Sequence, residues 1–101
     1  MEDSFQVIEN YLMVRMPEEI DHHKSVYISK KADDYIMQSG VGNVVFDFED
    51  TKFMDSSGIA VALRGWQRMR EVGGSVLLRH VAKQPRKVFE ASGVGRMMTI
   101  E

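Results

Sequence analysis

A short apolar run from Val44 to Phe48 lies between two segments with helical periodicity, and this order limits the fold more than any other feature. The run is rich in β-branched and aromatic residues, which predicts a buried strand. Two strands joined by a helix normally pair in parallel, through a right-handed crossover. We therefore predict an α/β fold with a mixed sheet of four or five strands and helices packed on it.

The N-terminal part predicts two strands and a helix. Phe5–Ile8 and Tyr11–Met16 are short apolar segments, and Asn10 between them tolerates the left-handed turn conformation of a hairpin. Asp21 is a suitable N-cap for a helix over about residues 23–39, which Gly40 ends.

The C-terminal part continues the alternation, so that the whole order is β-β-α-β-α-β-α-β. A second helix is predicted from near Ser57 to Val72, followed by a strand at 76–78. A third helix has Pro85 in its first turn and Gly93 after its end, and a last strand covers 97–100. The buried stripe of the second helix is expected to consist of Ile59, Ala62, Leu63, Trp66 and Met69.

Composition excludes several classes of function. The 101 residues predict a single domain over 1–101. The absence of cysteine excludes disulfides and thiolate chemistry, and a net charge of −2 gives no general attraction to nucleic acid. No apolar run is long enough for a membrane span, and the acidic N-terminus lacks the pattern of a secretion signal. We expect a cytoplasmic protein with no nucleic-acid or membrane partner.

The stretch FMDSSG, residues 53–58, places two hydroxyls where a strand ends and a helix begins. In the plainest interpretation Ser56 is the N-cap of the second helix. Alternatively Ser56 is a phosphoacceptor, because a phosphate there would meet free amides and the positive end of the helix dipole. A third interpretation is a nucleophilic serine, although the G-x-S-x-G frame is missing and nothing places His22, His23 or His80 beside it.

Neither a metal nor a cofactor is predicted. His22 and His23 are adjacent on a helix, so their side chains point about 100° apart and chelate one ion poorly. The basic segment 83–87 has no interleaved aromatic residues and is interpreted as a solvated helix start.

Four segments together resemble the STAS domains of anti-sigma-factor antagonists. They are VVFDFEDTKFMDSSGIAVAL from Val44, EEIDHH at 18–23, GGSVLL from Gly73 and VFEASGV from Val88. The resemblance covers roughly residues 5–101 and implies the STAS fold. It implies that a partner anti-sigma factor kinase phosphorylates Ser56 and that a phosphatase reverses this.

The resemblance also implies roles for the neighbours of Ser56. Asp21 and Asp55 lie close to the acceptor, and Ser57 and Gly58 form the first helical turn behind it. The unphosphorylated protein would sequester the anti-sigma factor and so release a sigma factor. We therefore predict a phosphorylation-controlled switch and not an enzyme; a STAS interaction module that is never phosphorylated, or a small serine hydrolase, are the alternatives.

Two departures from the family pattern stand out. Pro17, Glu18 and Glu19 occupy a turn where family members often have glycine, which bears on partner choice. Many members continue into a C-terminal helix, which is expected to be absent because the sequence stops at Glu101. Whether a neighbouring chain covers the sheet in a homodimer is left open.

Overall fold

The computed structural model describes residues 4–101. Their elements in chain order are β1 (Phe5–Ile8), β2 (Tyr11–Arg15), β3 (Glu19–Ile20), α1 (His22–Ser39), β4 (Asn43–Asp47), β5 (Phe53–Met54), α2 (Ser57–Glu71), β6 (Ser75–Arg79), α3 (Lys83–Ser92) and β7 (Thr99–Ile100). A short 3-10 turn at Val94–Arg96 precedes β7.

Within the described residues the main sheet has five strands in the order β1-β2-β4-β6-β7. The β1–β2 hairpin is antiparallel, and the other three pairs are parallel. The predicted mixed α/β sheet is confirmed. In the same part of the chain, β3 and β5 form a separate two-stranded parallel sheet, which the predicted order lacks. Each has only two residues, too few for the alternation that identifies a strand in a sequence.

The core lies between the main sheet and the helices. Alternate residues of β2 and β6 are buried, and β4 between them buries three successive residues, Val44–Phe46. In β4, Phe46 is completely buried, and its ring lies so close to α2 that a Cβ on Gly65 would come within 2.9 Å of it. The sheet and the second helix therefore approach each other closely because glycine occupies this position.

The buried face of α2 is rotated relative to the predicted stripe. Ala62 and Met69 are buried as expected, but Ile59, Leu63 and Trp66 are only partly buried and pack at the border of the core. The centre of the face contains two small residues that hydrophobicity does not identify. The buried residues of α2 are Gly58, Val61, Ala62, Gly65 and Met69.

The glycines predicted to end α1 and α3 do so, but the predicted left-handed residue of the β1–β2 turn was wrong. Gly40 and Gly93 follow α1 and α3 with φ of 65° and 77°. In the β1–β2 turn, however, Glu9 takes the left-handed conformation, with φ of 53°. Asn10 instead accepts hydrogen bonds from the backbone amide of Gly42, through its side chain at 2.8 Å and its carbonyl at 3.2 Å.

None of the helices in residues 4–101 is long and apolar enough to cross a membrane.

Candidate functional site

The small β3–β5 sheet brings the two predicted aspartates to one place. Glu19 pairs with Phe53 and Ile20 with Met54, so Asp21 and Asp55 follow at the same, carboxyl end of parallel strands. The amide of Asp55 donates to the carbonyl of Ile20 at 3.2 Å, which continues the ladder by one bond. Both aspartates therefore lie beside each other at the starts of α1 and α2.

Each aspartate caps the helix that follows it. The carboxylate of Asp21 accepts from the amide of Lys24 at 2.9 Å, as predicted for an N-cap. This hydrogen bond lowers the pKa of Asp21 below its ordinary value of 3.8, because it stabilises the ionised form. The carboxylate of Asp55 accepts from the amide of Ser57 at 2.8 Å. The two helix starts are thus held by charged acceptors.

Ser56 lies directly before α2 and is exposed, but its hydroxyl does not cap the helix. Its backbone is already helical, with φ of −63° and ψ of −12°. A capping side chain normally projects from an extended backbone, so the plainest interpretation of this serine was wrong. Asp55 has taken over the capping role, and the Ser56 hydroxyl is left for other chemistry.

The first amides of α2 are not free, contrary to the sequence-based expectation. The amide of Ser57 is bound by the Asp55 carboxylate, that of Gly58 by the Asp55 carbonyl at 3.1 Å, and that of Ile59 by the Ser56 carbonyl at 3.1 Å. These three amides would therefore not be open to a phosphate on Ser56 unless their present hydrogen bonds were broken.

Gly58 is required by a close approach. A Cβ at this position would lie 2.5 Å from the sulfur of Met54, which is completely buried directly beneath the first turn of α2. Ser57, half-buried beside it, lines the groove between α1 and α2. Both residues belong to the first turn of α2, directly after Ser56.

The family model for the STAS domain matches residues 4–101. The chain belongs to the STAS domain family. It is 33% identical over 92 residues to the anti-sigma F factor antagonist of Lysinibacillus sphaericus, covering 91% of this chain and 79% of that protein. It is 29% identical over 89 residues to the anti-sigma F factor antagonist of Paenibacillus polymyxa, covering 88% of this chain and 76% of that protein.

Solved STAS structures agree with this assignment. The anti-sigma factor antagonist SpoIIAA in its unphosphorylated form superposes with a TM-score of 0.80 at 32% identity, over 96% of this chain and 87% of that one. The phosphorylated form of the Bacillus protein SpoIIAA gives 0.75 at 33% identity, over 96% and 90%. The protein TM1081, at 14% identity and a TM-score of 0.83 over 96% and 78%, shows the same fold.

Pro17 and Glu18 bind the residues that lead into β5. The carbonyl of Pro17 accepts from the hydroxyl of Thr51 at 2.8 Å, and that of Glu18 accepts from the amide of Lys52 at 2.8 Å. Thr51 is buried. Pro17, where family members often have glycine, therefore lies two residues before β3 and contacts the segment that precedes β5.

Sequence reasoning missed Gln84, which contacts Met54, two residues before Ser56, from α3. Its side-chain amide bonds both backbone groups of Met54, at 2.9 and 3.1 Å. The segment 83–87 had been interpreted as a solvated helix start, but Pro85 is buried and Gln84 is half-buried. Only the position of Gln84 in the first turn of a helix, opposite a short strand, distinguishes it from any other polar residue.

A groove of about 500 Å³ runs between α1 and α2 from the site. Its wall includes His22, Val26, Ser57 and Arg64. Below it, buried Asp33 of α1 holds α2 through Arg64 Nε at 2.8 Å and Arg68 Nε at 3.4 Å. These ion pairs fix the relative position of the two helices whose amino ends form the site.

The three histidines lie at the surface, in three different settings. All three are exposed, and among residues 4–101 no hydrogen bond joins any of them to Ser56. His80 lies 3.0 Å from Asp47, and with Glu49 these residues place three ligand atoms within 4.8 Å of one another. His22 and His23 line different surface hollows, on α1.

Proposed function

We propose that this STAS domain is an anti-sigma-factor antagonist whose switch is phosphorylation of Ser56. In its unphosphorylated state it binds an anti-sigma factor and thereby releases a sigma factor. The same anti-sigma factor acts as the kinase, a phosphatase restores the free serine, and all partners act in the cytoplasm. The protein itself catalyses no reaction.

One observation carries the proposal: the Ser56 hydroxyl is exposed and is not used as a cap, because Asp55 caps α2 instead. An acceptor hydroxyl must reach the γ-phosphate of ATP held by another protein. In the transfer, the Ser56 oxygen attacks the γ-phosphorus, the bond to ADP breaks, and the serine proton passes to a base of the kinase. A serine hydroxyl engaged in capping would first have to give up its hydrogen bond.

The effect on binding follows from charge. A phosphoserine adds roughly −1.5 to −2 charges at neutral pH. Asp21 and Asp55 lie beside it, and the first amides of α2 are already bound. A partner surface that fits a neutral hydroxyl between two carboxylates must then accept a third anion, and uncompensated like charge in an interface costs several kcal/mol. We expect affinity to fall by about a hundredfold or more, at ~1.4 kcal/mol for each factor of ten.

The test uses the anti-sigma kinase from the same genome with ATP. Intact-protein mass spectrometry should show one added phosphate, located on Ser56 by fragmentation. Ser56→Ala should abolish it, and Ser57→Ala should retain most of it. A phosphate on Ser57 would contradict the assignment of the acceptor.

Binding of the anti-sigma factor completes the test. Ser56→Ala should bind like the wild type and Ser56→Asp much more weakly, both with near-native melting temperatures. Equal binding by the two variants, with no phosphate on the wild-type protein, would instead identify a STAS interaction module that is not switched by phosphorylation.

A further inference from the structure

The strand β5, directly before the acceptor segment, is held along both of its edges. Towards β3, the amides of Phe53 and Asp55 donate to the carbonyls of Glu18 and Ile20, at 3.3 and 3.2 Å. Because successive residues of a strand direct their backbone groups to opposite edges, the amide and carbonyl of Met54 face away from β3. They face α3.

Gln84 of α3 occupies this second edge. Its Oε1 accepts from the Met54 amide at 2.9 Å, and its Nε2 donates to the Met54 carbonyl at 3.1 Å. One side chain thus provides the pair of hydrogen bonds that a neighbouring strand would make. Both are partly buried, so losing them would leave two backbone groups without partners beneath the surface.

The chemistry of this contact is specific to glutamine. A primary amide offers one donor and one acceptor side by side. A glutamate of the same shape offers two acceptors and would oppose the Met54 carbonyl, whereas an asparagine is one methylene too short. The neighbouring Pro85 is buried, and its ring fixes the backbone dihedral φ in the first turn of α3.

We propose that Gln84 is a positioning residue for the phosphoacceptor, which it reaches only through Met54 and Asp55. By closing the free edge of β5, it holds the backbone from which the Asp55 cap and the Ser56 hydroxyl project. This inference rests on the proposed function of Ser56. Gln84 acts on the rate of phosphate transfer at saturating kinase, because it limits the serine to one orientation.

The experiment compares Gln84→Met and Gln84→Glu with Gln67→Glu. Methionine preserves the length of the side chain but makes no hydrogen bonds. Glutamate has the same shape as glutamine, so this variant preserves the packing and serves if the methionine variant folds poorly. Gln67 is exposed on α2, so its change to glutamate alters the charge without touching β5. Phosphate incorporation is measured as kcat and KM for each protein with the cognate kinase and ATP, beside denaturant unfolding and amide exchange at Met54 and Asp55.

We expect both Gln84 variants to lose roughly tenfold to a hundredfold in kcat, as misplacement of a reacting group by about 1 Å does elsewhere. Exchange of the Met54 amide should accelerate while the protein stays folded, and Gln67→Glu should match the wild type. Wild-type kcat in folded Gln84 variants would overturn the inference and leave the proposed function intact. A wild-type protein that accepts no phosphate would overturn both.

Discussion

Gly58→Ala tests the close approach between the first turn of α2 and Met54, next to Ser56. The added Cβ would lie 2.5 Å from the sulfur and 3.0 Å from the terminal methyl of Met54. Met54 is completely buried, and Gln84 holds its backbone through two hydrogen bonds, so its side chain has little room to withdraw. The clash must be relieved by a shift of the buried Met54 side chain, of the start of α2 or of β5.

Two opposing terms set the magnitude. Alanine is favoured over glycine inside a helix by about 0.5–1 kcal/mol. Forcing extra volume into a packed core costs about 1–3 kcal/mol. We therefore expect a net loss of about 1–2 kcal/mol in the free energy of unfolding. With a urea m-value of about 2 kcal/mol per molar, the midpoint should fall by roughly 0.5–1 M.

A double-mutant cycle with Met54→Val tests the cause. Valine lacks the sulfur and terminal methyl that collide with the new Cβ, while the Met54 Cγ lies at an ordinary 3.5 Å. In that background Gly58→Ala should be neutral or stabilising, which gives a coupling of about 1 kcal/mol or more. The reasoning is refuted if Gly58→Ala lowers the midpoint equally in both backgrounds, or raises it in the wild type.

Three further outcomes are expected. Trp66→Ala should cost about 2 kcal/mol, less than the ~3–5 of a fully buried aromatic residue, because Trp66 is only partly buried; an unchanged urea midpoint would make it a surface contact. Asp33→Ala should cost about 1.5–3 kcal/mol, since buried Asp33 loses its bond to Arg64, and the exposed Asp34→Ala is the matched control; equal losses would contradict this. The folded-state pKa of Asp21 is lowered, so the stability it contributes is present above its unfolded pKa of 3.8 and is lost as the pH falls through the folded pKa. In acid, the melting temperature should therefore decline more steeply for the wild type than for Asp21→Asn. Parallel curves of melting temperature against pH would exclude the effect.

Local signals in the sequence predicted those parts of the fold that depend on neighbouring residues. Asp21 and Gly40 define the ends of α1, and an apolar strand between two helices predicted the parallel sheet. Tertiary contacts decided the rest. The buried face of α2 was predicted too far towards Trp66, because the glycines at 58 and 65 carry no hydrophobic signal although they allow the closest packing.

The sequence predicted the positions of the candidate site residues in the fold but not their hydrogen bonding. Asp21, Asp55 and Ser56 lie at the starts of two helices, and their role as a site stays a prediction. Aspartate and serine are both good caps, so the residue types do not decide which of Asp55 and Ser56 caps α2. The backbone dihedrals of Ser56 decide it. Gln84 could not be found at all, because it meets Met54 across 30 positions of the chain.

The β3–β5 ladder has a consequence for the order of folding. Glu19 and Phe53 pair although they are 34 residues apart in the chain, and the ladder between β3 and β5 has only two residue pairs. Closing so long a loop costs entropy that a two-residue ladder alone does not recover. We expect the ladder to form after β2 has paired with β4 and after the folding transition state. The φ-values of Ile20 and Met54 should then be near zero. An incompletely folded chain, such as one still emerging from the ribosome, would then lack the β3–β5 ladder that places Ser56. Under the proposed function, only fully folded molecules would accept phosphate.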